Sequence, residues 1–354
     1  MKYNQITILI TVFALIAFLT SCNDADPNVP SGDPEILSIS PTTAHIGDTV
    51  TITGNYLGFG ISSATVNIGG NSFVGHNECI TWQTNQIKFR VPDSASSGDI
   101  TVNISFNSSN AVALKVIKYP PIEVVEIVGK TFKMGSNSNS VDEFPEHDVT
   151  ITKTLEVGKF EVTQRQYSNM MRRNPSLTAD FRLPVYNVSW LNAVQFCNAL
   201  SKAQNLDTAY RFVGEQILWN ENSNGWRLPT EAEWEFLCRA GTEGDFAGTG
   251  IINEMCWISD NSGLKPHPVG TKSPNQFGLH DMHGNVWEWC WDWYLLDYYS
   301  SSPGNDPKGP DSGSRHVIRG GSYNDGASYA RSSNRTIPEI LSNNIGFRIV
   351  RTKN

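Results

Sequence analysis

Basic residues are scarce in this 354-residue chain: 27 Lys and Arg stand against 35 Asp and Glu, a formal net charge of −8. Nucleic acids and anionic lipid surfaces are held by clustered Lys and Arg, so neither fits this charge balance, and no nucleic acid is expected as a partner. Cysteine is rare as well. The six are Cys22, Cys79, Cys197, Cys238, Cys256 and Cys290, and their spacing contains no pair of the kind that holds structural zinc. No cysteine follows Cys290. Beyond the first two dozen residues no run is long and apolar enough to span a bilayer. Between residues 34 and 118 no stretch has helical period.

What the chain does have begins at its N-terminus, "MKYNQITILITVFALIAFLTSC". One lysine precedes an apolar run from Ile6 to Leu19, too short to span a membrane and laid out like a secretory signal. It ends in Leu19-Thr20-Ser21-Cys22, which resembles the lipobox of bacterial lipoproteins. That resemblance implies removal of residues 1–21, lipidation of Cys22, and anchoring in the cell envelope, at the outer membrane, on its periplasmic or outer face. The alternative is an ordinary signal peptide whose cysteine is incidental. The segment 22–33, acidic and rich in Pro and Gly, reads as a flexible tether.

From 34 to 118 apolar and polar residues alternate: Val50 and Ile52, Val66 and Ile68, Ile87, Phe89 and Val91, then Ile100, Val102, Ile104 and Phe106. Gly, Asn, Asp and Ser turns separate these runs, the pattern of an all-β sandwich. The phrases "ISPTTAHIGDTVTITGNYLG", "VNIGG" and "VPDSASSGDITVNI" resemble the IPT/TIG family of immunoglobulin-like domains, which implies a spacer or binding module. His45 and His76 are isolated, and no nucleophile or partnered carboxylate pair is present.

After Pro120-Pro121 the character changes. The second body, 122–354, holds nine of the ten tryptophans and three helix candidates. One covers Thr163–Met171. The next, "SWLNAVQFCNALSKAQ", sets Trp190, Ala193, Phe196, Cys197 and Leu200 on one face. The third starts at "LPTEAEWEFLCRAG", where Thr230 and Glu233 form a capping box and Trp234, Leu237 and Cys238 point inward. Long Gly/Asn/Pro loops between them indicate a loop-rich α+β fold. "NNIGFRIV" reads as a closing strand. A Cys256–Cys290 disulfide is conceivable, although a small buried hydrophobe is the commoner role for such residues. His280 and His283 of "HDMH" read as surface or turn residues.

The motifs "FKMGS", "KFEVTQRQY", "WRLPTEAEWEFLCRAG", "PVGTKSPNQFGLHDMHGNVWEWCWDWY" and "RGGSY…NNIGFRIV" resemble the formylglycine-generating enzyme (sulfatase-modifying factor) family. The resemblance implies a modified C-type-lectin fold. In the oxidases of that family two cysteines after the Gly-Gly-Ser motif bind copper, because soft thiolates select Cu(I). The matching positions here are Asp325 and Ala330, so copper and the oxidase mechanism are not expected, and no catalytic residue is assigned. The disulfides of animal members are likewise not implied, since Cys197 and Cys238 match one half of each pair while the partner positions are Arg335 and Ile349. The sulfoxide-synthase branch uses an iron held in a helical domain that this chain lacks. The family's calcium-binding segment matches "DMHGNVWE", implying a structural Ca2+ held by Asp281 and Glu288 with the carbonyls of Gly284 and Val286, a mixed oxygen cage of the kind calcium takes.

Three functions remain open at this level. The first is a binding protein for a protein or glycan ligand, in which Ser322, Tyr323, Asn324, Asp325, Ser328, Tyr329, Arg331 and Asn334 populate a surface framed by Arg319, Gly320 and Gly321. Tyr with Ser and Asn is the mixture binding loops use. The second is a structural part of an envelope complex, as in gliding-motility lipoproteins that share the domain. The third is an enzyme of other chemistry, for which no base stands beside a nucleophile at readable spacing.

Overall fold

A computed structural model describes residues 32–58, 61–92, 94–117, 122–339 and 343–353. The signal segment 1–21, Cys22 and most of the 22–33 tether lie outside the described residues. The chain divides into two compact units, Met1–Val116 and Ile117–Asn354. No helix among the described residues is long and apolar enough to cross a membrane.

The first unit is built from two sheets. One runs Glu35–Ser40, Thr49–Asn55, Gln86–Arg90, Thr81–Trp82; the other runs Thr43–His45, Val112–Ile117, Gly98–Ile104, Thr65–Ile68, Ser72–Gly75. Because side chains alternate along a strand, every second residue enters the space between the sheets. Val50, Ile52, Ile87 and Phe89 come from one sheet and Val66, Ile68, Ile100 and Val102 from the other, all fully buried. Each contributes about 1.5–3 kcal/mol of burial. Trp82 reaches the same core and donates its Nε1–H to the Leu57 carbonyl at 2.7 Å. The alternation fails at its end. The strand stops at Ile104, Ser105 turns with φ +54°, and Phe106 stands fully exposed instead of entering the core.

Among the described residues, the second unit holds all the longer helices. Helix α1 (Gln164–Met171) and helix α3 (Glu231–Arg239) each start at a capping box, from Thr163 with Gln166 and from Thr230 with Glu233, while Ser189 caps helix α2 (Trp190–Ala203). These caps satisfy amide groups that a helix start leaves orphaned. Tyr167 of α1 stacks on Phe196 of α2 at 5.7 Å, and both meet the edge of Phe347. Helix α3 is buried along its whole length, which its charged sequence does not advertise. A short helix, Ile252–Met255, has no counterpart in the sequence reading.

The central sheet of this unit orders Arg335–Thr336, His316–Arg319, Trp287–Trp293 and Ile345–Gly346, the last pair parallel. "NNIGFRIV" is therefore two strands rather than one: Ile345–Gly346 lies beside Trp287, and Val350–Thr352 joins Thr154–Gly158 in a separate sheet. Two contacts force the break. Gly346 approaches the Val185 carbonyl so closely that a Cβ would sit 2.3 Å from its oxygen, and Arg348 turns away to Glu288.

The five described cysteines carry free thiols, four of them buried. The conceivable Cys256–Cys290 disulfide is absent because the two residues belong to different cores, Cys256 with Met255, Ile258 and Ala330, and Cys290 with the apolar face of α3.

Candidate functional site

The stretch "RGGSYNDGASYARSSNR" (319–335) leaves the strand His316–Arg319, loops out, makes a 3-10 turn at Ala327–Ala330 and returns as the strand Arg335–Thr336. Gly320 and Gly321 make the exit, with φ +96° and +72°, a region that favours glycine. A Cβ on Gly321 would also meet the backbone of Ala330 at 3.0 Å. The double glycine thus folds the loop flat against its own return.

Arginines hold the loop down. Arg319 is fully buried; its Nη2 donates to Glu235 Oε2 at 2.5 Å and to the Ser332 carbonyl at 2.9 Å, and its Nη1 donates to the Ser333 carbonyl at 2.8 Å. Arg335 forms a two-point pair with Glu231, at 2.7 and 2.8 Å. Arg331 does the same with Glu143, at 2.9 and 2.6 Å. Fork-to-carboxylate pairs of this kind fix orientation as well as distance.

The eight sequence-predicted ligand residues consequently fall into two groups. Ser322 is fully buried and its hydroxyl meets Asn324, Asp325 and Asn344. Tyr323 is buried with its ring edge-on to Tyr186, Asn334 is buried, and Arg331 is committed to Glu143. These four are frame. Asn324, Ser328 and Tyr329 are exposed, and Asp325 is half-buried. Asn324, Asp325 and Tyr329 line a cavity of about 240 Å³ together with Trp287, Glu339 and Asn344. Asp325 is held by Trp287, whose Nε1–H donates to its Oδ2 at 2.8 Å, and by the Ser322 hydroxyl. Trp287, Glu339 and Asn344 were not anticipated; "GNVWEWCWDW" was read as part of a family motif and its start as a calcium-binding segment.

Ala330, the second position matching a copper cysteine, lies wholly buried in the small cluster around Cys256. His283 holds it there. This histidine is not a surface residue: it is buried, donates Nδ1–H to the Ala330 carbonyl at 2.6 Å, and accepts from the Ala247 amide through Nε2 at 3.0 Å. Burial lowers its pKa to about 4, so the neutral ring serves as a cross-link. His280 is partly buried, with Nδ1 bonded to the Lys272 carbonyl and its ring against Phe160.

The segment matched to the calcium motif is also internal. Asp281, with φ +56°, accepts the Gly270 amide on Oδ2 at 2.7 Å, while its buried Oδ1 has no partner among the described residues. Burial, and behind it the neighbouring Glu288 charge, raises its pKa to about 6. Glu161 lies nearby, bonded to Asn285 and the Val286 amide; burial and then the Asp281 and Glu288 charges push its pKa well up. Glu288 itself is fully engaged, accepting from Arg348 at 2.6 and 2.7 Å and from Trp234 Nε1 at 2.7 Å. The fit to a cation is therefore partial. Asp281 offers an orphaned oxygen, both Glu288 oxygens already accept hydrogen bonds, and no group of three or more His, Cys, Asp or Glu is placed for a metal among the described residues.

Comparison with known proteins accounts for both units. The IPT/TIG domain family matches residues 34–116, and the sulfatase-modifying factor enzyme 1-like domain family matches residues 113–353. The chain is 33% identical over 207 residues to the chaperone protein LppX of Paenibacillus barcinonensis, covering 49% of this chain and 72% of that protein. It is 38% identical over 159 residues to the formylglycine-generating enzyme of Streptomyces coelicolor, covering 37% of this chain and 50% of that enzyme. The chain thus spans only half the length of that enzyme. Among solved structures, Treponema denticola variable protein 1 superposes with a TM-score of 0.60 at 30% identity, covering 72% of this chain and 99% of that one. PvdO from Pseudomonas aeruginosa gives 0.54 at 25% identity, covering 66% and 99%. A family match over two-thirds of the length, on a fold those structures share, means that this chain belongs to the sulfatase-modifying factor enzyme 1-like family and carries an IPT/TIG domain ahead of that domain.

Proposed function

We propose that this protein is an envelope-anchored bacterial lipoprotein, held in the outer membrane through lipidated Cys22, whose sulfatase-modifying-factor-like domain binds a protein or glycan ligand without catalysis. One observation carries the reading. At the first of the two positions where the copper oxidases of the family carry a cysteine, this chain presents a polar and aromatic cavity built on Asp325 and Tyr329. An aspartate and a buried alanine are not ligands for Cu(I), whereas a pocket with aromatic walls and a few fixed polar groups suits ligand recognition. The relative named a chaperone protein supports a partner-binding role. A structural calcium at Asp281 and Glu288, with the carbonyls of Gly284 and Val286, belongs to the same reading.

The test is a peptide and glycan array probed with the folded protein and with Tyr329→Ala. Selective binding that the variant loses at unchanged melting temperature is the expected result. Equal binding by the variant, or none by either, overturns the assignment of the surface. Formylglycine formation on a sulfatase-motif peptide with added copper would overturn the non-catalytic reading. Loss of fatty-acid labelling in Cys22→Ser tests the anchor.

A further inference from the structure

The lining of the cavity beside Tyr329 has one sign of charge. Asp325 and Glu339 supply carboxylates, Asn324, Asn343 and Asn344 supply amides, and among the described residues no Lys, Arg or His lines it. The basic residues of the neighbouring loop are consumed elsewhere, Arg319, Arg331 and Arg335 in ion pairs with Glu235, Glu143 and Glu231, and Arg315 on the Pro338 carbonyl. Asp325 is not a loosely hung side chain. Trp287 Nε1–H fixes its Oδ2 at 2.8 Å and Asn344 Nδ2 lies 3.5 Å from the same oxygen, while no hydrogen bond among the described residues reaches its Oδ1. Glu339 is exposed, again with no partner among the described residues. The Tyr329 ring meets Trp287 edge-on, with centroids 6.2 Å apart and planes at 76°, so a face of the half-exposed tyrosine remains available.

We propose that this cavity takes a primary alkylammonium group, either the side chain of a lysine in a peptide or the end of a free diamine. The argument rests on the binding role assigned to the surface above and adds the chemistry of its ligand. The ammonium would donate to Asp325 Oδ1 and to an amide oxygen of the asparagine wall, with Glu339 as the second negative charge. The butyl or pentyl stem would lie on Tyr329. A cation near an aromatic face gains from the ring quadrupole, and a charge-assisted hydrogen bond is stronger than a neutral one. A volume of about 240 Å³ admits one such chain, not a folded element.

Calorimetric titration of the whole protein with Nα-acetyl-lysine amide, cadaverine and the uncharged isostere Nα-acetyl-2-aminoheptanamide tests the proposal. At least one of the two ammonium probes should bind at least about tenfold more tightly than the isostere, and binding should weaken as salt screens the carboxylates. Asp325→Asn, which keeps an acceptor for Trp287, and Glu339→Gln, on the surface, should each weaken that binding while melting is unchanged. Preference for the lysine amide identifies a peptide source, and preference for cadaverine a free amine. Equal binding of the isostere, no binding of either ammonium up to millimolar concentration, or unchanged binding by both variants overturns it. A selective hit on the peptide and glycan array alongside such a failure would leave the binding role standing and remove only the ammonium.

Discussion

Arg319 and Glu235 meet at 2.5 Å with both side chains at 0% exposure, and the same guanidinium grips the carbonyls of Ser332 and Ser333. One buried charge pair therefore ties helix α3 to both ends of the loop that carries the candidate site. Glu235 is shared further, accepting from Arg239 at 2.8 Å and from the Gly135 amide at 2.9 Å. Glu231 and Glu233 project from other sides of the helix to Arg335 and Arg227. A nine-residue helix buried with three carboxylates is tolerable only because each is paired.

Breaking one side of that pair should be costly. Glu235→Ala leaves Arg319 charged and buried with only its longer contact to Glu231, at 3.6 Å, and is expected to destabilise the second unit by about 3–5 kcal/mol. Replacing both residues with apolar side chains, Arg319→Met with Glu235→Leu, should recover only part of the loss, because Arg239 and the Gly135 amide also lose their acceptor. Urea denaturation of the single and double variants checks this, and a single-variant loss below about 1 kcal/mol would show that the pair does not hold the loop.

Tyr329 should behave in the opposite way. The residue is 48% exposed, so Tyr329→Ala should shift stability by no more than about 0.5 kcal/mol. Arg331→Ala, which looks equivalent in the sequence, should cost several times more because it strands the buried Glu143. Thermal melts of the two variants side by side distinguish surface from frame within this one loop.

That contrast marks what the sequence reveals and what it hides. Helices α2 and α3 were legible because apolar period and caps are local: Trp190, Ala193, Phe196, Cys197 and Leu200 recur along one face, and Thr230 stands next to the turn it caps. The first unit was legible by strict alternation up to Ile104. Within 319–335 the sequence could not separate ligand surface from frame, because the deciding partners are remote. Arg319 finds Glu235 at a separation of 84 residues and Arg331 finds Glu143 at 188. His283 was hidden for the same reason, since its acceptor is the backbone of Ala330, 47 residues on. No periodicity encodes such pairings; they follow from the folded path of the chain.

His316 gives the second unit an acid sensitivity. Its ring lies between Trp190 and Trp293, with centroids 3.6 and 3.7 Å away, and its Nδ1 bonds the Trp291 carbonyl. Burial lowers its pKa from 6.5 to about 4. The unfolded chain then binds this proton first as pH falls, so the contribution is fully present above 6.5 and is lost progressively between 6.5 and 4. The loss is on the order of 3 kcal/mol. His316→Phe keeps the stack and cannot titrate; its unfolding free energy should fall less between pH 7 and 4.5 than that of the parent, and equal slopes would contradict the assignment.

The Asp281 carboxyl carries the opposite sign, and with it the question of calcium. Its folded pKa, about 6 against an ordinary 3.8, is raised first by burial. A raised acid contributes stability below 3.8 and loses that contribution as pH rises through 6. At pH 8 without a cation, the charged, half-satisfied group therefore costs on the order of 3 kcal/mol. Asp281→Asn should then be more stable than the parent in excess chelator at pH 8. Adding calcium should reverse the order, because a ligand that binds only the folded state stabilises it, and only the parent retains the anionic oxygen that calcium prefers. Melting curves with chelator and with millimolar calcium, together with calcium content after exhaustive chelation, read both halves. A variant that gains as much from calcium as the parent would remove Asp281 from the ligand set, and no calcium effect on either would remove the ion.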